Sequence, residues 1–192
     1  MPAQARTYSY SIAPLLYDLV HLISERGQDY LRRLEGLRLT PYPDGAGYAI
    51  GYGHAILPGE QWMMQGITLA QAEQLFDQDT WQMSQVVGDA LTAPVTQDVY
   101  DALVMFCYNI GPGNFQRSNL LRMINAGAPD ADVYNFWLTT WTDGGQHAGL
   151  VNRRKLEADY AYPNIDATQT AGFPWWSLLL LTPFLIKSKR HG

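Results

Sequence analysis

The sequence predicts an α+β fold that is predominantly helical, with a small β-hairpin lobe, a long connecting helix and a helical lobe. The first observation behind this prediction is the segment 37–57, which alternates glycines with aromatic and β-branched residues. That pattern is typical of a small antiparallel hairpin region. The second is Thr68, which with Gln71 forms a capping-box pattern and opens one apolar stripe that reaches Val87. A single long helix is therefore expected from Thr68 onwards.

Shorter helices are predicted on both sides of these elements. Apolar residues over 15–23 recur at helical spacing, and Gly27 is expected to end that helix. The other short helices are expected, in chain order, over 28–34, after a Thr96 cap, after a Ser118 cap, around 131–140 and around 150–160.

We divide the chain into an N-terminal helical extension (1–27), a central domain (28–162) and a tail (163–192). The tail contains 14 uncharged, largely apolar residues over 173–186, followed by Lys187, Lys189 and Arg190. As a helix this stretch is about 21 Å long, which is short of the roughly 30 Å of a bilayer core. Two partners stay open for 173–190: a membrane surface, or a protein such as a virion component.

The composition limits the classes of function. The chain has 192 residues, 47% of them hydrophobic, and a net charge of −5, which suits a packed domain and argues against a nucleic-acid partner. Cys107 is the only cysteine and lies in an apolar run, so we expect a buried and inert thiol. No cofactor and no metal are expected.

Two carboxylic acids stand in a suggestive arrangement. Hydrolysis of a glycosidic bond needs one carboxyl group that donates a proton and a second that stays ionised. Glu35 follows a predicted helix, and Asp44 lies in a Pro-Asp-Gly turn before the hairpin. The pair alone says little, since any Glu and Asp at this spacing can be surface charges.

The string around this pair is more specific. It runs from Glu35-Gly-Leu-Arg through Tyr42-Pro-Asp44 to Gly51-Tyr-Gly-His54 and resembles the active-site segment of the phage-type lysozymes and endolysins of glycoside hydrolase family 24. Five further segments follow in the family's order: Ile67 to Asp79, Asp101 to Val104, Asn109 to Gly111, Phe115 to Arg122 and Gly149 to Arg154. The resemblance covers about 28–162 and implies a lysozyme-like fold.

The resemblance also implies roles. Glu35 matches the general acid, Asp44 the second carboxylate, and Arg153 a basic residue that pairs with the acid and orients it. Asn109, Ser118 and Tyr42 match positions that bind substrate in the sugar cleft, and His54 with Asp79 matches a structural ion pair between the hairpin lobe and the long helix. One position departs from the pattern, because Ala49 stands where the family usually has a threonine that helps to hold the attacking water, and the turn after Asp44 is one residue short.

Other residues receive plainer interpretations. We expect Arg154 and Lys155 on the solvated surface, and Trp137 and Trp141 in the core.

The function implied by the resemblance is a muramidase that hydrolyses the β-1,4 bond between N-acetylmuramic acid and N-acetylglucosamine in bacterial peptidoglycan. It would act in the cell envelope, either in phage-induced lysis or in cell-wall penetration during infection, after synthesis in the host cytoplasm and with or without packaging in the virion. The alternative is a catalytically weakened, lysozyme-like structural or peptidoglycan-binding component of a virion.

Overall fold

The computed structural model describes residues 22–45 and 47–165. The elements are, in chain order, α1 (Glu25–Glu35), β1 (Arg38–Asp44), β2 (Gly47–Gly51), β3 (His54–Ala55), a 3-10 helix (Gln61–Gln65), α2 (Leu69–Ala90), α3 (Gln97–Ile110), α4 (Pro112–Gln116), α5 (Asn119–Asn125), α6 (Asp130–Thr139), a 3-10 turn (Asp143–Gly145) and α7 (Ala148–Ala161). The predicted fold class is confirmed: a helical protein carries one small three-stranded antiparallel sheet.

The first helix corrects the prediction that a helix ends at Gly27. Ser24 caps α1 by accepting a hydrogen bond from the Gly27 amide, so Gly27 lies in the first turn. A Cβ atom at this glycine would stand 2.7 Å from Asp101 Cγ. Glycine is therefore explained by the close approach of α1 to α3. Ile23 and Ser24 also pack into the described fold, although the sequence assigned them to an N-terminal extension.

The sheet has the order β1-β2-β3, so β1 is an edge strand. Its pairing with β2 is irregular between Arg38 and Tyr42, where β1 contains Pro41. Proline has no N–H to give to the ladder, and it is tolerated at such an edge and bulge. Beyond the bulge Tyr42 pairs with Ala49, and Asp44 pairs with Gly47 across a two-residue loop. Gly45 in that loop has a φ of +54°, a conformation that tight hairpin loops require.

The long helix α2 connects the two lobes. Its N-terminus is a capping box in which Thr68 accepts from the Gln71 amide while Gln71 accepts from the Thr68 amide. The helix has 22 residues and packs against β2 at one side and α3 at the other. The predicted cap and the predicted long helix are both confirmed.

The helical lobe is built around α3, most of which is buried. Thr96 caps this helix and Ser118 caps α5, as predicted. Phe106 lies at the centre, with its ring 5.9 Å from Trp137 and 6.4 Å from Phe115. Burial of Trp137 is thus confirmed, and so is burial of Cys107.

The prediction for Trp141 is wrong. Its side chain is 45% exposed and its backbone has a φ of +53°, because the chain turns sharply after α6. Trp141 thus lies beyond the helix that ends at Thr139, in a backbone conformation that does not continue it.

The described chain ends just after α7. Ile165 still packs against the core, and its amide donates to the Tyr162 carbonyl over 3.1 Å. The apolar segment 173–186, the basic residues after it and the N-terminal residues up to 21 lie outside the described residues. Within 22–45 and 47–165, no helix combines the length and hydropathy needed to cross a bilayer.

Candidate active site

Glu35 is the last residue of α1. The helix stops there because Gly36 takes a φ of +68°, and its amide donates to the Arg32 carbonyl over 3.0 Å. The chain then turns directly into β1, which places the Glu35 carboxyl between the helical lobe and the hairpin. A Cβ atom built on Gly53 would lie 3.5 Å from Glu35 Oε2, so the glycine brings the hairpin backbone against this carboxyl.

Arg153 on α7 pairs with Glu35. Its Nη2 lies 2.6 Å from Glu35 Oε1, and the two side chains are only 11% and 16% exposed. The same Nη2 donates to the Met105 carbonyl, and Nε donates to Glu157 over 3.0 Å. Burial lowers the pKa of Arg153, but the negative charges of Glu35 and Glu157 outweigh this effect, and the net direction is upward. The guanidinium is therefore a fixed positive charge held at one side of the acid.

Asp44 and Tyr42 lie near the hairpin-loop end of β1. Asp44 is exposed at the hairpin loop, and Tyr42 is partly buried. Burial raises the pKa of the Tyr42 phenol, and the negative charges of Asp44 and Glu35 raise it further, against Arg38, whose guanidinium lies 4.6 Å from the ring centroid. Tyr42 and Asp44 are two positions apart on one strand, so their side chains project from the same face of the hairpin.

Ala49 is fully buried in the middle strand, directly across from Tyr42. Directly opposed residues of antiparallel strands project from the same face of the sheet. The methyl group of Ala49 therefore shares a face with the Tyr42 side chain. It offers no hydrogen-bonding atom where the family usually has a hydroxyl.

Arg154 is not a surface residue, which corrects the prediction from the sequence. Its side chain is 0% exposed, its Cζ lies 4.7 Å from the centroid of the Phe106 ring, and its Nη1 donates to Glu157 Oε2 over 2.6 Å. The Nη2 group donates to Asn109 Oδ1. The exposed Asn109 is thus linked through Arg154 to a buried carboxylate that the sequence analysis did not single out.

Glu157 is this missed residue. It is 0% exposed and binds Arg153 and Arg154, and the Trp137 indole N–H donates to it over 3.1 Å. Burial raises the pKa of Glu157, against the two guanidinium groups and the Trp137 N–H, which stabilise its carboxylate and lower the pKa. The spacing Arg-Arg-x-x-Glu on one helix was the available signal, since residues three and four apart share a face.

The structure places two other predicted residues away from the acid. Ser118 is 3% exposed, and its hydroxyl caps α5 by accepting from the Leu121 amide, so a role in sugar binding stays a prediction. Lys155 lies on the exposed face of α7 and donates to Asp159, in line with its predicted surface position.

The predicted His54–Asp79 contact is present. His54 Nδ1 lies 2.9 Å from Asp79 Oδ2, and Nε2 lies 3.2 Å from Glu60 Oε2. The hydrogen bond to Asp79 is the largest influence on His54 and raises its pKa, against burial, with Glu60 adding to the rise. Since His54 belongs to β3 and Asp79 to α2, the pair ties the hairpin lobe to the long helix.

No cluster of three or more His, Cys, Asp or Glu side chains suited to a metal ion occurs in the parts of the chain that the structure describes.

A family model for phage lysozyme matches residues 32–157, which include Glu35, Asp44, Arg153 and Glu157. The chain belongs to the phage lysozyme family. This family member is 38% identical over 138 residues to an endolysin of Bacillus phage PZA, an alignment covering 70% of this chain and 53% of that protein. It is also 33% identical over 130 residues to a SAR-endolysin of bacteriophage PS119, covering 66% of this chain and 75% of the relative.

Two solved structures share the fold. An endolysin from Escherichia coli O157:H7 phage FAHEc1 superposes with a TM-score of 0.62 at 36% identity, covering 74% of this chain and 94% of that one. The muramidase domain of SpmX from Asticaccaulis excentricus gives 0.58 at 31% identity, covering 73% and 97%. The chain spans about half the length of the Bacillus phage relatives that it matches.

Proposed function

We propose that the protein is a muramidase that cleaves the β-1,4 bond between N-acetylmuramic acid and N-acetylglucosamine in bacterial peptidoglycan, with Glu35 as the general acid. The observation that carries the proposal is the pairing of Glu35 with Arg153 at the cleft between hairpin and helical lobe. The Glu35 side chain is held by an arginine that is itself fixed at two further points, Glu157 and the Met105 carbonyl. Such fixation aims a proton donor at one leaving-group oxygen.

Asp44 supplies the second carboxylate. It lies on the exposed end of β1, two positions from Tyr42 and therefore on the same face of the strand. An inverting glycosidase keeps its two carboxyl groups about 6.5–9.5 Å apart, so that a water molecule fits on the far side of the sugar ring. We propose that Asp44 activates this water and that the reaction inverts the anomeric carbon.

A second candidate function rests on Ala49. A buried methyl group replaces the hydroxyl that usually helps to hold the attacking water, and a weakened enzyme that serves as a structural or peptidoglycan-binding part of a virion would tolerate that loss. The intact Glu35–Arg153 pair favours the active enzyme. The relatives named endolysin favour a role in lysis over one in cell-wall penetration.

Activity on purified peptidoglycan tests the proposal. We expect Glu35→Gln to lose at least about a hundredfold in the rate of turbidity loss, because the amide has no proton to donate. The matched control is Glu25→Gln in the exposed first turn of the same helix, which should clear at the wild-type rate. Equal clearing by Glu35→Gln and Glu25→Gln would contradict the assignment of the acid.

Product analysis separates the finer statements. Muropeptides with N-acetylmuramic acid at the new reducing end identify the bond that we propose, and NMR of the first-formed anomer gives the stereochemistry. Cell-wall binding without any new reducing end would favour the virion component. Fractionation of infected cells and analysis of purified particles would distinguish lysis from entry.

A further inference from the structure

Five polar side chains form one continuous chain through the helical lobe. They are, in order of contact, Glu35, Arg153, Glu157, Arg154 and Asn109. The four charged members alternate in sign and sum to zero. One end is the proposed proton donor, and the other is an exposed amide predicted to line the sugar cleft.

Glu157 is the central member of this chain. Its Oε1 accepts from Arg153 Nε over 3.0 Å, and its Oε2 accepts from Arg154 Nη1 over 2.6 Å. Trp137 closes the third side with its indole N–H. Both oxygens of one fully buried carboxylate are thus committed, each to a different arginine.

Removal of a buried charge from such a chain leaves the others uncompensated. A buried ion pair contributes little net stability against an apolar replacement, whereas the loss of one partner is strongly destabilising. Packing alone therefore gives no reason for this carboxylate, since an apolar side chain would fill the same volume without two buried arginines. What the carboxylate does uniquely is fix the direction of both guanidinium groups.

We propose that Glu157 is the positioning residue of this site: it fixes Arg153 against the proton donor Glu35, and through Arg154 it fixes Asn109 in the cleft. Glu157 does not touch the reacting atoms. The inference rests on the proposed function for the role of Glu35. It adds that the buried carboxylate of Glu157 fixes the positions of both the Glu35 carboxyl and the Asn109 amide.

The proposal predicts opposite effects for two single substitutions. Glu157→Gln leaves a net positive charge beside Glu35, which stabilises its carboxylate, so the alkaline limb of the pH–activity profile should move down by about one pH unit. Arg154→Met removes one positive charge and leaves Arg153 as the only cation paired with Glu157, so the Glu35 carboxylate is less stabilised. The alkaline limb should therefore move to higher pH. Removing the hydrogen bond to Asn109 should also raise KM about threefold to tenfold in Arg154→Met.

The double variant Arg154→Met/Glu157→Gln separates charge from packing. It restores electroneutrality, so its alkaline limb should return towards the wild-type position. Its KM should stay raised, since Asn109 still lacks its partner. The matched control is Asp159→Asn, because Asp159 lies two residues further along α7 and its side chain is 40% exposed. This variant should leave both the alkaline limb and the KM at wild-type values.

The other groups that face the two carboxylates are the same in every variant. Glu35 acts on the phenols of Tyr42 from β1 and Tyr108 from α3, and Glu157 acts on the phenol of Tyr30 from α1. Their contributions therefore cancel in the comparison.

Two readouts keep this inference distinct from the proposed function. Profiles are measured on purified peptidoglycan between about pH 4 and 9, and the Glu35 carboxyl is titrated independently by ¹³C NMR on the full chain. Shifts of opposite sign in the two single variants support the proposal; no shift, or shifts of the same sign, overturn it. If Glu157→Gln does not fold, Arg154→Met decides by itself: the absence of a shift of the alkaline limb to higher pH in that variant overturns the proposal. An inactive wild type with the expected NMR shifts would contradict only the proposed function.

Discussion

Asp101→Asn should lower the free energy of unfolding, because Asp101 joins the first described residues to the central helix α3 through hydrogen bonds. Asp101 is fully buried on α3 and accepts four hydrogen bonds: from the Ser24 amide over 2.9 Å, from Gln97 and from Tyr160 over 2.8 Å each, and from the Ser24 hydroxyl. Each bond to a charged acceptor contributes about 1.5–3 kcal/mol, against about 0.5–1.5 kcal/mol for a neutral one.

The asparagine amide can keep all four contacts only by turning its NH2 towards the two hydroxyl groups, which are able to accept. All four bonds then become neutral, and we expect the free energy of unfolding to fall by about 2–4 kcal/mol. Urea denaturation followed by tryptophan fluorescence measures this. The matched control is Asp98→Asn on the same helix, whose exposed pair with Arg26 should contribute less than about 1 kcal/mol.

The same measurement tests where the fold begins. A chain that starts at Leu22 keeps Ser24 and should match the full-length protein, whereas one that starts at Gln28 should lose stability comparable to Asp101→Asn. In the chain that starts at Gln28, the further change Asp101→Asn should add little, since its main partner is gone. Equal stability of Asp101→Asn and Asp98→Asn would refute the reasoning.

Three further predictions concern the hairpin lobe and the tail. In urea denaturation, His54→Gln should lower the free energy of unfolding by about 1–3 kcal/mol near pH 6 and by less near pH 9. The reason is that Asp79 raises the pKa of His54 in the folded state, so the stability from this pair is complete below the unfolded pKa and is lost as pH rises through the folded pKa. An equal loss at both pH values would contradict this prediction. Ala49→Thr should keep or raise the turnover number on peptidoglycan, while thermal unfolding shows a loss of about 1–3 kcal/mol, since the site is fully buried; unchanged stability would show that the site has room. A chain that ends at Ile165 should fold and clear peptidoglycan like the full chain, and failure to fold would place the 166–192 segment within the domain.

The elements that the sequence predicts correctly are those specified by neighbouring residues. Thr68 with Gln71, Thr96 and Ser118 each satisfy a backbone amide three positions away, so their caps are visible in the sequence. The His54–Asp79 contact, by contrast, spans 25 positions and came only from the resemblance to the family.

The errors have a common physical cause in tertiary contact. Gly27 resembles a helix stop, yet it is required by an aspartate 74 positions further along, which approaches α1 too closely for a Cβ atom. Trp141 continues an apolar pattern, but a positive φ turns it outwards. Neither the approach of α3 nor the turn after α6 leaves a trace in the local sequence.

Arg154 is an exception to the rule that charged side chains on a helix lie at the solvated surface. An Arg-Arg-Lys run on a helix ordinarily lies in water, and Lys155 does so. Arg154 is buried because Glu157, three positions further on, is buried with it and because Phe106 offers the face of its ring. The two charges are tolerated only together, and Arg153 joins them to Glu35. If Glu35 is the acid, as we propose, this network in the helical lobe holds it in place, and substitutions in α7 should alter the pH range of activity before they abolish it.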